Sequence, residues 1–179
     1  VLYTETEPLY SPSELLTYED NTGNEITDPN LEVKYQTATV INRRVVLGNV
    51  TFKDSEGNSV IKPDAMIKSS PNIYDIFREN MIDEASIQDG DEVVHLEGYG
   101  DRVLQFKKDK LHIININADG KSILEDTLMF KGVSHSASVA RTDIGVTWAN
   151  RLGVFNYDGE TVEDLFVKDG IGRTIKAST

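Results

Sequence analysis

Cysteine is absent from all 179 residues, which excludes a disulfide scaffold, a thiolate zinc site and a cysteine nucleophile together. It fits synthesis in a reducing cytoplasm. Aromatic residues are scarce at 8%, with Trp148 the sole tryptophan, a poor supply for a sugar site that stacks rings on aromatics. Basic residues number 18 against 30 acids, giving a formal charge of −12. Nucleic acid and anionic membranes repel such a surface. No apolar run is long enough to span a bilayer, and no basic-then-apolar leader pattern occurs. A Gly-x-Ser-x-Gly elbow is also missing.

What remains suits a globular chain: 39% hydrophobic and 27% charged residues. A chain of this length buries most of its apolar surface and needs no metal or disulfide staple. The charge is unevenly spread. Residues 1–34 hold eight acids against Lys34, a net −7, and form an acidic, turn-rich segment distinct from residues 35–179. Ser11-Pro12-Ser13-Glu14 ahead of Leu15 and Leu16 predicts one or two helical turns, with Ser11 as cap. The chain begins at Val1 rather than Met, and part of a larger protein is expected.

From residue 35 onward the pattern is strand and turn. Thr37 to Ile41 and Val45 to Phe52 flank a polar turn at Asn42-Arg43-Arg44. Residues 71–85 fit a single helical turn in an irregular connection, because Ile73, Ile76, Phe77 and Met81 share a helical face. Val93 to Glu97, Arg102 to Phe106 and Leu111 to Ile116 predict three strands, with Lys107-Lys108-Asp109-Lys110 as a polar tip. Ser138 to Thr142, Gly145 to Ala149 and Gly153 to Tyr157 repeat the theme around Asp143 and Asn150-Arg151-Leu152. The turns at Asp101 and Asp143 are 42 residues apart, close to the ~40–50 residues of one four-stranded propeller blade. An all-β fold follows, and the pattern alone suits a propeller and a sandwich equally.

Three phrases carry a resemblance. They are Lys62-Pro63-Asp64 through Pro71-Asn72-Ile73-Tyr74-Asp75 to Asp89-Gly90-Asp91, then Gly100-Asp101-Arg102 through Ile114, then Arg141-Thr142-Asp143 through Tyr157-Asp158-Gly159. Across residues 61–166 the chain resembles β-propeller-like structural proteins of tailed bacteriophages, those of the head-to-tail junction described as packaged-DNA stabilisation or portal-associated tail proteins. The resemblance implies a propeller-like array of antiparallel blades and a mechanical role in the virion. It implies contact with other virion structural proteins, after synthesis in the host cytoplasm, while self-association is expected from the acidic residues 1–34 facing the basic tip at Lys107, Lys108 and Lys110. The resemblance implies no chemistry; no cofactor is expected, and the acidic charge argues against direct contact with nucleic acid or membrane. A carbohydrate- or receptor-binding module of a tail protein is the alternative role.

Candidate chemistry is thin. Ser134, His135 and Ser136 with Asp143 as orienter lack the triad arrangement, and a polar turn explains them more simply. Asn115, Asn117, Asp119, Gly120 and Asp126 fall at positions 1, 3, 5, 6 and 12 of an EF-hand-like run. Yet the residues before it read as strand, so a hairpin turn with Gly120 at positive φ is preferred. His95, His112 and His135 have no ligand spacing. Arg102, Lys107, Lys108 and Lys110 read as a solvated tip or as a contact for the acidic segment of a neighbour. No catalytic residue and no metal ligand is expected. Trp148 is expected in the core.

Overall fold

The computed structural model describes residues 31–54, 57–85 and 90–166. These residues form twelve strands in three four-stranded antiparallel sheets. The first holds β1 (Val33–Ile41), β2 (Arg44–Lys53), β3 (Ser59–Ser69) and β4 (Phe77–Asp83). The second holds β5 (Val93–Tyr99), β6 (Arg102–Lys107), β7 (Lys110–Ile116) and β8 (Ser122–Met129). The third holds β9 (Val139–Thr142), β10 (Gly145–Asn150), β11 (Gly153–Tyr157) and β12 (Val162–Asp164). Within each sheet, neighbours in sequence are neighbours in space, and short turns suffice for such antiparallel meanders.

The all-β expectation holds. The expected irregular connection with a helical turn at 71–85 does not: Phe77–Asp83 is strand β4, paired antiparallel to β3. Its apolar residues at 76, 77 and 81 satisfy a helical spacing, but a ladder partner was available and the sheet took the segment. Strands β8 and β12 complete units that the sequence pattern outlines as three-stranded, and β3 and β4 complete the first, which it outlines with two strands. The expected helix at residues 11–16 lies outside the described residues.

The second sheet lies between the other two. Leu104, Phe106, Leu111 and Ile113 pack with Val146, Trp148, Phe155 and Tyr157 of the third sheet. Val93, Leu96, Val103, Ile114 and Ile116 pack with Ile41, Val46 and Met66 of the first. Cover on both faces leaves β6 and β7 almost continuously buried, with the polar Gln105, Lys107 and His112 buried alongside the apolar residues. Trp148 is 1% exposed, edge-on to Phe106 at 5.2 Å between ring centroids and tilted against Phe155 at 5.7 Å. A third cluster, with Leu47, Val50, Phe52, Ala65 and Ile67, belongs to the first sheet.

Two joints fix the sheets to one another. At Gly98, the first strands of all three units meet. The Leu96 amide donates to Thr37 Oγ1 at 3.0 Å, and a Cβ on Gly98 would stand 3.0 Å from Thr39 Oγ1 and 3.1 Å from the Val40 carbonyl. From the other side, Arg141 of β9 donates to the Gly98 carbonyl at 3.3 Å. The second joint is polar. Lys68 reaches from β3 to Asp83 (2.6 Å), to the Gly120 carbonyl (2.6 Å) and to Ser122 Oγ (2.7 Å). Buried Arg44 donates to the Ser69 carbonyl at 3.0 Å, and burial lowers its pKa.

Candidate functional site

One surface groove of about 320 Å³ is lined by Lys108, Asp109, Phe130, Gly132, Ser134, Asn150, Arg151 and Leu152. Three chain segments build it: the β6–β7 tip, the link after β8, and the β10–β11 tip. Asp91 anchors the first tip, its carboxylate accepting from the amides of Lys108 at 2.9 Å and Asp109 at 3.1 Å. The link docks on that tip through the Phe130 amide to the Asp109 carbonyl (2.6 Å) and the Val133 amide to the Lys107 carbonyl (2.9 Å). Gly132 is required there, because a Cβ would lie 2.3 Å from the Lys107 carbonyl oxygen. Asn150 then ties the third segment to the second. Its amide nitrogen donates to the carbonyls of Phe130 at 3.0 Å and Gly132 at 2.9 Å, while its Oδ1 accepts from the Leu152 amide at 2.8 Å.

This scaffolding holds Phe130 at φ +64°, a left-handed conformation that costs a residue with a Cβ about 1–2 kcal/mol. The bulky side chain is nevertheless 59% exposed, beside Leu152 at 57%. Strain of this kind persists where surroundings over-determine it, often at functional sites. Lys108 and Arg151 are the basic lining residues. Lys108 pairs with Glu92 at 2.7 Å, and this hydrogen-bonded contact holds the Glu92 carboxyl below, and the Lys108 ammonium above, their ordinary ranges. Lys131 lies next to the groove with its ammonium 3.5 Å from the Phe155 ring centroid.

The sequence candidates are dispersed. Ser134 lines the groove, but His135 precedes a short 3-10 turn at Ser136–Ser138, and Asp143 stands at the opposite end of β9. A strand of that length separates them by roughly 13 Å, which leaves Asp143 no orienting role. The EF-hand-like run spans the β7–β8 hairpin. Asn115 belongs to β7 and donates to Asp101 (3.1 Å) and Glu125 (3.2 Å), whereas Asp126 pairs with Ile113. Asn117 to Gly120 form the turn, with Gly120 at φ +82° and its amide 2.9 Å from the Asn117 carbonyl.

Of the histidines, His112 Nδ1 lies 2.9 Å from Thr127 Oγ1, His95 faces Glu97 at 3.5 Å, and His135 is exposed. Among the described residues no group of three or more His, Cys, Asp or Glu could hold a metal ion. The basic tip is divided. Lys107 is fully buried, contrary to a solvated tip, because it ends β6 inside the sheet stack. Arg102 pairs with Glu125 at 2.6 Å, at the far end of the hairpin.

Sequence reasoning treated Asn150, Arg151 and Leu152 only as a tip and passed over Phe130 and Gly132. A Phe-Lys-Gly run between a strand and a turn carries no signal of left-handed backbone. No protein-family model matches this chain, and no curated protein matches it. No helix among the described residues is long and apolar enough to cross a membrane.

Proposed function

We propose that this chain is a non-enzymatic assembly module that works by binding other protein. Its setting is the one the sequence resemblance implies, a tailed-phage virion near the head-to-tail junction or tail. In this reading the three sheets are consecutive blades of a propeller-like array, supported by the meeting of their first strands at Gly98. The observation that carries the association is the groove, where hydrogen bonds among three segments hold the Phe130 backbone in a left-handed conformation with its ring in solvent beside Leu152. Exposed aromatics in a polar rim are the usual anchors of protein interfaces.

Sedimentation velocity of the purified chain over a range of concentrations, in ~0.05 M and ~0.5 M salt, tests the association. Concentration-dependent assembly, alone or with a structural protein from the same particle, is expected. A chain that stays monomeric in every mixture while binding a glycan array would transfer the role to a carbohydrate-binding module. Presence of the chain in purified particles tests the setting, and its absence from them removes the virion part of the reading.

A further inference from the structure

Two of the three apolar clusters are each built from two sheets, but the third is not. Leu47, Val50, Phe52, Ala65 and Ile67 are buried together, and among the described residues only the first sheet and Leu31 contribute to their cluster. The second sheet packs instead on Val46 and Met66, which alternate with Leu47, Ala65 and Ile67 and so point the other way. An apolar sheet face needs a second layer. The margin of this one is open on β1. Tyr35 is 56% and Val40 63% exposed, and they stand opposite Val50 and Val45 of the cluster in the β1–β2 ladder.

The other end of the stack is finished differently. On β10 and β11, Thr147 and Asn156 alternate with the inward Val146, Trp148, Phe155 and Tyr157 and face away from the second sheet. Thr147 donates to Asn156 Oδ1 at 2.9 Å, and Asn156 Nδ2 donates to the Ile144 carbonyl at 3.1 Å. These polar groups meet their hydrogen bonds within the third sheet, as the outer face of a terminal unit does. Of the two ends, the first sheet's is the one that calls for a further apolar layer.

We infer that residues 1–30 of the same chain dock on this outer face of the first sheet, with apolar side chains beside Tyr35 and Val40 and their seven acids toward water. Leu31 is the anchor. It is 9% exposed within the cluster, and its amide donates to the Phe77 carbonyl at 2.9 Å, so residue 30 departs from the face itself. The residues before it supply Leu2, Tyr3, Leu9, Tyr10, Leu15 and Leu16. Residues 167–179 start instead from the third sheet, where the Leu165 amide donates to the Val154 carbonyl at 2.8 Å, with the second sheet in between. A segment tethered at the face meets it at an effective concentration on the order of millimolar, which favours the chain's own segment over that of a second copy in dilute solution. This contact lies within one chain and stands apart from the association proposed above.

Two measurements on the full chain test the docking. The absence of cysteine lets Ala38→Cys carry a single nitroxide spin label on the face, at an exposed position opposite Leu47. With heavy nitrogen in the same chain, amide signals of residues 1–30 are expected to lose intensity, and to stay weakened when that chain is diluted into an excess of unlabelled protein. Recovery on dilution would give the face to a second copy's segment, and full intensity throughout would separate the segment from the face; either overturns the docking. In the second measurement, Val40→Asp puts a charge beneath the segment where the native side chain is already 63% exposed, so folding is retained. Cleavage within residues 1–30 by a glutamate-specific protease is expected to quicken about tenfold, as loss of one valine-sized apolar contact would cause. Ile144→Asp, at the equally exposed β9–β10 turn, is expected to leave that rate unchanged. A rate in Val40→Asp equal to the parent's, or to that of Ile144→Asp, overturns the docking.

Discussion

Arg141 donates to the Gly98 carbonyl at 3.3 Å while its guanidinium carbon lies 5.7 Å from the Tyr99 ring centroid. One side chain on β9 thus holds two consecutive residues of β5. On the opposite side of Gly98, β1 approaches so closely that no side chain fits comfortably between the strands.

Gly98→Val is therefore expected to destabilise the fold by about 1–3 kcal/mol, as overpacking a closed contact does. Thr39→Ala in the same background relieves one of the two contacts and is expected to restore part of the loss. Urea unfolding measures both. A Gly98→Val chain with the parent midpoint would mean that β1 and β5 part freely and do not hold the sheets in place.

Lys68 is the centre of the polar joint between the first two sheets. Its side chain is 4% exposed and its partner Asp83 29% exposed, and Ser122 Oγ also donates to Asp83 at 2.6 Å. Lys68→Met removes the donor to Asp83, Gly120 and Ser122 together. It is expected to cost toward the lower end of the ~3–5 kcal/mol for breaking a buried ion pair, because Asp83 retains some water. Asp83→Asn keeps an acceptor and should cost less. The reverse order in equilibrium unfolding would show that the carboxylate, not the ammonium, organises the joint.

Acid sensitivity has an identifiable contributor at the β11–β12 turn. The amides of Thr161 and Glu160 donate to Asp158 Oδ1 at 2.9 Å and 2.8 Å, and these bonds hold its carboxyl below the ordinary value of 3.8. A depressed folded pKa stabilises the fold above the unfolded value, and that contribution disappears as pH falls through the folded one. Asp158→Asn should therefore be less stable than the parent at neutral pH, with the gap closing below about 3.8. Thermal unfolding across that range checks it, and a gap that widens on acidification would contradict the sign.

Much of the strand content was legible in the sequence because burial imposes it. The runs Arg102 to Phe106 and Leu111 to Ile116 carry apolar residues on both faces, Val103, Ile114 and Ile116 toward the first sheet and Leu104, Phe106, Leu111 and Ile113 toward the third, as strands covered on two sides do. Hairpin positions were readable for a local reason: Asn42-Arg43 takes positive φ at both residues, and asparagine tolerates that backbone. Strands at or near sheet edges were less readable. β8 exposes most of its residues and β4 mixes polar and apolar positions, so neither shows a clean alternation of period two.

The strands within residues 37–52, 93–116 and 138–157 thus announced themselves through side-chain type, since β-branched and aromatic residues fit a pleated, half-buried surface. The groove was a different matter. Phe130, Asn150 and Leu152 are up to 22 residues apart, and each alone suits an ordinary tip. Their meeting depends on Asn150 finding the carbonyls of Phe130 and Gly132, and on Gly132 admitting the β6–β7 tip. Burial of Lys107 likewise depends on the strand and link around it, since β5 pairs it with Val93 and the Val133 amide donates to its carbonyl. Composition and local order determine which segments become strands. Which strand ends converge, and which aromatic is left facing water, was decided only when the three sheets stacked, because those contacts are made across chain separations that no local pattern encodes.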